Sequence, residues 1–184
     1  IYNFVKMLNN ESNYGGDLSF ASSGFIKNYN TNVYENVIIN DFSYNSNSKF
    51  TEHGLKNNFN VLLKNINTKG VNSEEYKDSI NNKFASIIEL NSSYPLEKNY
   101  DQHENTFSPM ISLKYSPNHS KNMNNTERRI DVNNIFSINR IMADDTVEGG
   151  ASLTYGFEFS KLINDKQFFE SKIANVFRLK ENKN

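Results

Sequence analysis

A chain of 184 residues is long enough to bury a core, yet only 36% of its residues are hydrophobic while aromatics reach 13%, a balance that suits one thin apolar face better than a packed globule. A net charge of −1 provides no basic field for nucleic acid, and the absence of cysteine excludes disulfides and thiolate metal sites within the segment. No run approaches the ~20 apolar residues of a membrane-spanning helix. Spanning strands are not excluded, because alternation dilutes hydropathy.

The chain opens IYNFVKML, without an initiator Met or signal-peptide features, so it is expected either to lack a signal peptide or to start inside a longer protein. Eight strands are predicted, at 1–8, 17–28, 32–45, 53–66, 79–91, 105–116, 147–160 and 167–180. Leu55, Asn57, Phe59, Val61 and Leu63 alternate with Lys56, Asn58, Asn60 and Lys64, Leu62 alone breaking the polar row. Phe84, Ser86, Ile88 and Leu90 form a weaker row, with Ile87 on the wrong face. Phe107, Pro109, Ile111, Leu113 and Tyr115 alternate with Ser108, Met110, Ser112, Lys114 and Ser116. The clearest case follows: Val147, Gly149, Ala151, Leu153, Tyr155, Phe157 and Phe159 against Glu148, Gly150, Ser152, Thr154, Gly156, Glu158 and Ser160. Near the C-terminus, Phe169, Ile173, Phe177 and Leu179 oppose Glu170, Lys172, Arg178 and Lys180.

Tight turns are expected at Asn30-Thr31 and Asn164-Asp165, with a short polar turn over 45–49. The segments 67–78 and 117–146 are longer and polar, and crossing parity puts both, with the Asn30 turn, on one rim. In the second, Ile130, Val132, Ile135, Phe136, Ile138 and Ile141 supply more apolar side chains than a solvated loop needs. Part of it is expected to fold inward, with the 135, 138, 141 spacing suiting a short helical turn. Strand lengths near the ~9 to 11 residues of a tilted membrane crossing give the predicted fold class: an all-β antiparallel up-and-down meander, part of a large outer-membrane barrel.

The run Pro109 to Pro117 reads P-x-I-S-L-K-Y-S-P, Asn134 to Arg140 reads N-x-F-S-x-N-R, and Asp145 begins D-x-V-E-G-G before a strand. Together with GLKNNFNVLLKNINT and the turn SSYPLEK, these elements resemble, over most of the chain, the C-terminal barrel domain of the lipopolysaccharide-assembly protein family LptD, also called organic solvent tolerance protein. The resemblance implies a many-stranded barrel in the cell outer membrane, preceded by a periplasmic jelly-roll domain. The implied partners are lipopolysaccharide, an LptE-like plug lipoprotein, periplasmic lipopolysaccharide-bridge proteins and outer-membrane lipids. Eight strands are fewer than that barrel needs, and its periplasmic domain and cysteines are not represented here. The whole segment, 1–184, is therefore expected to be an interior slice of one barrel domain, truncated at both ends.

No enzyme and no cofactor are expected. His53, His103 and His119 lie far apart and are read as isolated residues in turns or loops, and Gly149-Gly150 opens a strand, not a phosphate-binding helix. Asp144, Asp145 and Glu148 lack calcium-loop spacing and read as a solvated acidic turn, with a divalent cation as the alternative. Glu127, Arg128 and Arg129 read as a locally paired loop cluster, with phosphate contact as the alternative. On the family's motif, Asn139, Arg140, Asp145 and Glu148 are expected to hold the loop against the rim by hydrogen bonds, while Gly149 and Gly150 relieve crowding or let the strand bend. Ser152, Thr154, Glu158 and Ser160 are expected to face a wet lumen. A porin, a receptor, a small closed eight-stranded barrel and a soluble β-sandwich or adhesin module are the competing readings.

Overall fold

A computed structural model describes residues 1–9, 15–100, 103–117, 130–141, 143–164 and 166–180. Among these residues the regular structure is all strand: β1 (Tyr2–Asn9), β2 (Gly16–Asn28), β3 (Tyr34–Ser46), β4 (Lys49–Phe50), β5 (Lys56–Val71), β6 (Asn81–Ser93), β7 (Leu96–Tyr100), β8 (His103–Ser116), β9 (Gly150–Ile163) and β10 (Lys166–Lys180). They form one antiparallel up-and-down sheet in the order β1-β2-β3-β5-β6-β8-β9-β10. β1 pairs only with β2 and β10 only with β9, so the sheet is open.

The two short strands continue longer ones. β6 pairs β8 from Ile88↔Tyr115 to Ser93↔Met110, and β7 resumes the same register at Leu96↔Phe107. Between them Tyr94 donates its N–H to the Pro109 carbonyl at 3.0 Å, and Pro95 has no N–H to give. SSYPLEK is thus an interruption within a strand, not the expected turn. In β4 the pair Lys49↔Asn57 is one residue out of step with Asn45↔Asn60, a bulge over Asn47 and Ser48. The reversal expected at 45–49 lies instead at 51–55, where Thr51 and Leu55 exchange a bond at 2.9 Å and Gly54 takes a φ of +83°.

Two other boundaries move. β5 runs on to Val71, because 67–71 pairs with the start of β3, which leaves 72–80 as the connection. β9 begins at Gly150 and not at 147, since Val147 leaves the expected outward row and is buried at 1% exposure. The Asn30 turn spans Tyr29 to Val33, closed by a 2.9 Å bond between them, with Asn32 in the left-handed region. Asn164 is also left-handed, as a two-residue hairpin requires; Asp165 lies outside the described residues.

The sheet's two faces differ in what covers them. One is bare: Phe42, Leu63, Ile88, Leu90, Ile111, Leu113, Tyr155, Ile173 and Phe177 are between 37% and 57% exposed. Toward the rim that carries the 51–55 turn this face becomes aromatic, with Phe107 against Phe157 at 5.4 Å and Phe159 against Phe169 at 6.0 Å. The opposite face is covered in part by the described residues of the 130–149 segment, 130–141 and 143–149, which follow β8 and lead into β9. Two small clusters seat this segment and its neighbour 72–80. Val37, Ile39 and Ile66 pack with Phe25 and Tyr76, and Leu62, Ile87 and Val147 pack with Ala85 and Ile138.

The second cluster explains both breaks in alternation. Leu62 pairs with Ile87 across β5 and β6 on the polar row, and Val147 closes over them. An apolar side chain there is an error in a sheet wetted on that face and a requirement in one that carries a docked loop. Ile87→Ala is therefore expected to lower stability by about 2–4 kcal/mol, whereas Ile88→Ala, one residue away on the bare face, costs well under ~1 kcal/mol in water-accessible conditions. Denaturant midpoints of the two variants measured side by side decide this, and equal shifts would refute the seat.

Candidate functional site

Around the apolar seat, period-two alternation aims long polar side chains of β3, β5, β6, β8 and β9 at the covering segment. Glu89 of β6, 1% exposed, is the hub. Its carboxylate accepts from Asn60 at 2.8 Å, Asn91 at 2.9 Å and Ser112 at 3.2 Å, and its Oε1 lies 3.3 Å from Lys114 Nζ. Four donors around one carboxylate meet the condition for burying a charge. Lys114 also donates to the Ser137 carbonyl of the covering segment. Lys64 repeats the arrangement one strand beyond β6: its ammonium donates to Asp41 at 2.8 Å and to the Asp144 carbonyl at 2.9 Å.

The third anchor comes from the segment itself. Arg140, 4% exposed, grips Glu148 with two bonds, Nε to Oε2 at 2.6 Å and Nη2 to Oε1 at 2.8 Å. Its remaining donors reach the wall, Nη1 to Thr154 Oγ1 at 3.0 Å and Nη2 to Ser152 Oγ at 2.8 Å. Arg178 of β10 adds a second guanidinium to Glu148 at 2.9 Å. Asn139 ties the two limbs of the segment together, donating to the Thr146 carbonyl at 3.2 Å and accepting from the Glu148 N–H at 3.3 Å.

At the far end Tyr76 donates to Asp145 at 3.5 Å. Burial, helped by the carboxylates of Asp145, Glu75 and Glu35, holds the Tyr76 hydroxyl protonated well above the ordinary phenol range. Gly70 lies directly beneath, where a Cβ would stand 2.6 Å from the Tyr76 carbonyl oxygen. Gly150 starts β9 at a φ of +90°, a conformation costly for other residues, and this lets the chain turn from the covering segment into the wall.

Of the motif residues, Arg140 and Asn139 both bond Glu148, while Asp145 accepts from Tyr76 at the far end of the segment. Ser152 and Thr154 depart from expectation: they are 6% and 0% exposed and accept hydrogen bonds from Arg140. Glu158 and Ser160 share their face but lie beyond the covering segment, half-buried, with Glu158 3.6 Å from Lys172. The acidic turn is solvated at Asp144 and half-buried at Asp145, but Glu148 departs from expectation, buried between two guanidinium groups. Ile135 is buried and Phe136, Ile138 and Ile141 are half-buried, whereas Ile130 and Val132 stay exposed. A single helical turn forms, but upstream of the expected 135–141, where the Ile135 N–H donates to the Asp131 carbonyl at 3.0 Å. His103 begins β8 instead of lying in a loop, its ring 5.5 Å from that of Tyr100; His53 lies in a turn. His119, Glu127, Arg128 and Arg129 fall outside the described residues.

Sequence reading gave no role to Glu89, Asp41 or Tyr76. Glu89 shares its parity with the misplaced Ile87, and that was the available signal: the polar row of β6 faces covered ground. Among the described residues, no three His, Asp or Glu side chains are grouped to hold a metal. The arrangement binds a loop to a wall through charge-assisted bonds. No family model matches the chain, and no curated protein matches it.

Arg140→Met leaves Glu148 with only the half-exposed Arg178 and strips Ser152 and Thr154 of their partner. A loss of about 3–5 kcal/mol is expected. Arg140→Lys recovers only part of it, because an ammonium cannot grip the carboxylate with two parallel bonds. Limited proteolysis of the 130–149 segment and thermal melts of both variants check this; a silent Arg140→Met sinks the anchoring role.

Proposed function

We propose that this chain forms part of the wall of an outer-membrane β-barrel that translocates lipopolysaccharide and inserts it into the outer leaflet, without bond chemistry. The observation that carries the membrane reading is the contrast between the faces. A continuous antiparallel sheet leaves a broad apolar and aromatic face bare while its other face, rich in ion pairs, is covered over part of its extent. In water the bare face is an aggregation surface. Against hydrocarbon it is the belt ~25 Å tall that a barrel wall presents, with Phe107, Phe157, Phe159 and Phe169 in the position of an interfacial girdle.

Strands of 13 to 16 residues, as in β2, β3, β5, β6, β8, β9 and β10, span on the order of 45–50 Å, ample for a tilted crossing with an extension beyond the bilayer. The free edges of β1 and β10 support a slice of a larger barrel over a small closed one, which would join them. Lipopolysaccharide as cargo rests on the resemblance of Pro109 to Pro117, Asn134 to Arg140 and Asp145 to Gly150 to the LptD family, and the LptE-like plug and periplasmic bridge partners rest on it too. A porin or receptor shares the wall but not these motifs.

A photo-crosslinking amino acid placed at Glu158 or Ser160 of the complete protein in cells is expected to give light-dependent adducts with lipopolysaccharide. Assembly into the outer membrane with no adduct at either position points to another barrel. Recovery as a monodisperse protein without detergent removes the membrane reading.

A further inference from the structure

Every strong charge under the covering segment is neutralised by a partner on its own body. Lys64 has Asp41 and Lys114 has Glu89, all four on the wall, while Arg140 has Glu148, both on the segment. Among the described residues, the one bridge that crosses between the bodies is Arg178 to Glu148, and Arg178 is 38% exposed at its side chain. Other bonds to the segment are uncharged on one side: Lys64 to the Asp144 carbonyl, Lys114 to the Ser137 carbonyl, Arg140 to the hydroxyls of Ser152 and Thr154, and the Tyr76 hydroxyl to Asp145. Separating a buried ion pair strands a charge at a cost of several kcal/mol. Lifting this segment strands none, and its apolar seat is small.

The wall beneath is also not fully matched to the segment that covers it. Asp41 Oδ1 and Ser116 Oγ are buried without a hydrogen-bond partner. A surface built solely to hold residues 130–149 has no reason to leave an acceptor and a hydroxyl unused. Bared, it presents the ammonium groups of Lys64 and Lys114, the carboxylates of Asp41 and Glu89, and the hydroxyls of Ser112, Ser152 and Thr154. Donors and acceptors are mixed and the two charge signs balance. Such a track does not select an anion; it matches a chain of hydroxyl groups.

We propose that residues 130–149 form a displaceable plug whose main-chain carbonyls and Arg140 occupy a saccharide-binding track. This rests on the reading of the chain as a lipopolysaccharide translocator, and names the part of the cargo that the track takes and the device that closes it.

Val147 is buried under the plug, so Val147→Cys in the complete protein, purified in detergent micelles, reports lifting through the rate at which a water-soluble maleimide labels that one position, read by peptide mass spectrometry. Ser152→Ala with Thr154→Val removes two cross-body bonds and leaves Arg140 paired with Glu148. It is expected to raise the rate by about tenfold or more, and Thr154→Val alone by an intermediate factor. Delipidated core oligosaccharide is expected to raise it as well. A rate that matches global unfolding and is unchanged by variants and oligosaccharide overturns the plug. A rate raised by the variants and not by the oligosaccharide overturns the saccharide track. Crosslinking from Glu158 and Ser160 does not depend on plug motion, so loss of the lipopolysaccharide reading registers there separately.

Discussion

The two-bond contact between Arg140 and Glu148 is the interaction on which the rest of the covered face depends. A guanidinium at this depth needs its charge cancelled and its donors filled. Glu148 supplies the carboxylate from eight residues downstream, while Ser152 and Thr154 supply oxygens from the wall. Because the pair is internal to the segment, the chain between them folds as a closed limb, with Asn139 fixing its neck. That limb brings Val147 onto Leu62 and Ile87 and the Asp144 carbonyl onto Lys64, while the Ser137 carbonyl, just ahead of it, meets Lys114.

A composition poor in hydrophobic residues is consistent with this design. The covered face needs few apolar side chains because ion pairs and hydrogen bonds do most of the seating, and the two clusters there hold only six buried hydrophobic residues. The remaining apolar and aromatic side chains are thereby left for the bare face, where alternation places them without any partner from the chain. A soluble sandwich divides its apolar residues the other way, facing them inward between two sheets. Here a single sheet leaves them on its bare face and places its buried ion pairs on the covered one.

The eight long strands and their up-and-down order were legible because period-two alternation over ten or more residues admits one reading, as in β8 and β9; the short β4 and β7, which make ten, were not. Boundaries failed where a single residue decides. Pro95 resembles a turn signal, but a continuing register with β8 carries the chain through it. The polar run 45–49 resembles a turn, but a bulge absorbs it and Gly54 makes the reversal. Within the site, Asn139, Arg140, Asp145 and Glu148 were found together because they are close in sequence. Glu89 and Asp41 were not, because their partners Lys114 and Lys64 lie 25 and 23 residues away and meet them only through strand register.

Leu62 and Ile87 join these two halves of the problem. Each looks like a defect when its strand is read alone, since an apolar residue on a polar row weakens the case for a two-faced strand. Read as a pair, they lie opposite one another across β5 and β6, and the coincidence of two such breaks at one register position marks where something dry must rest. The apolar excess in the 130–141 segment supplies what rests there, with Ile138 packed against that seat. A mismatch in alternation on a single-sheet wall is therefore a positional signal for a docked loop whenever its cross-strand neighbour carries the same mismatch.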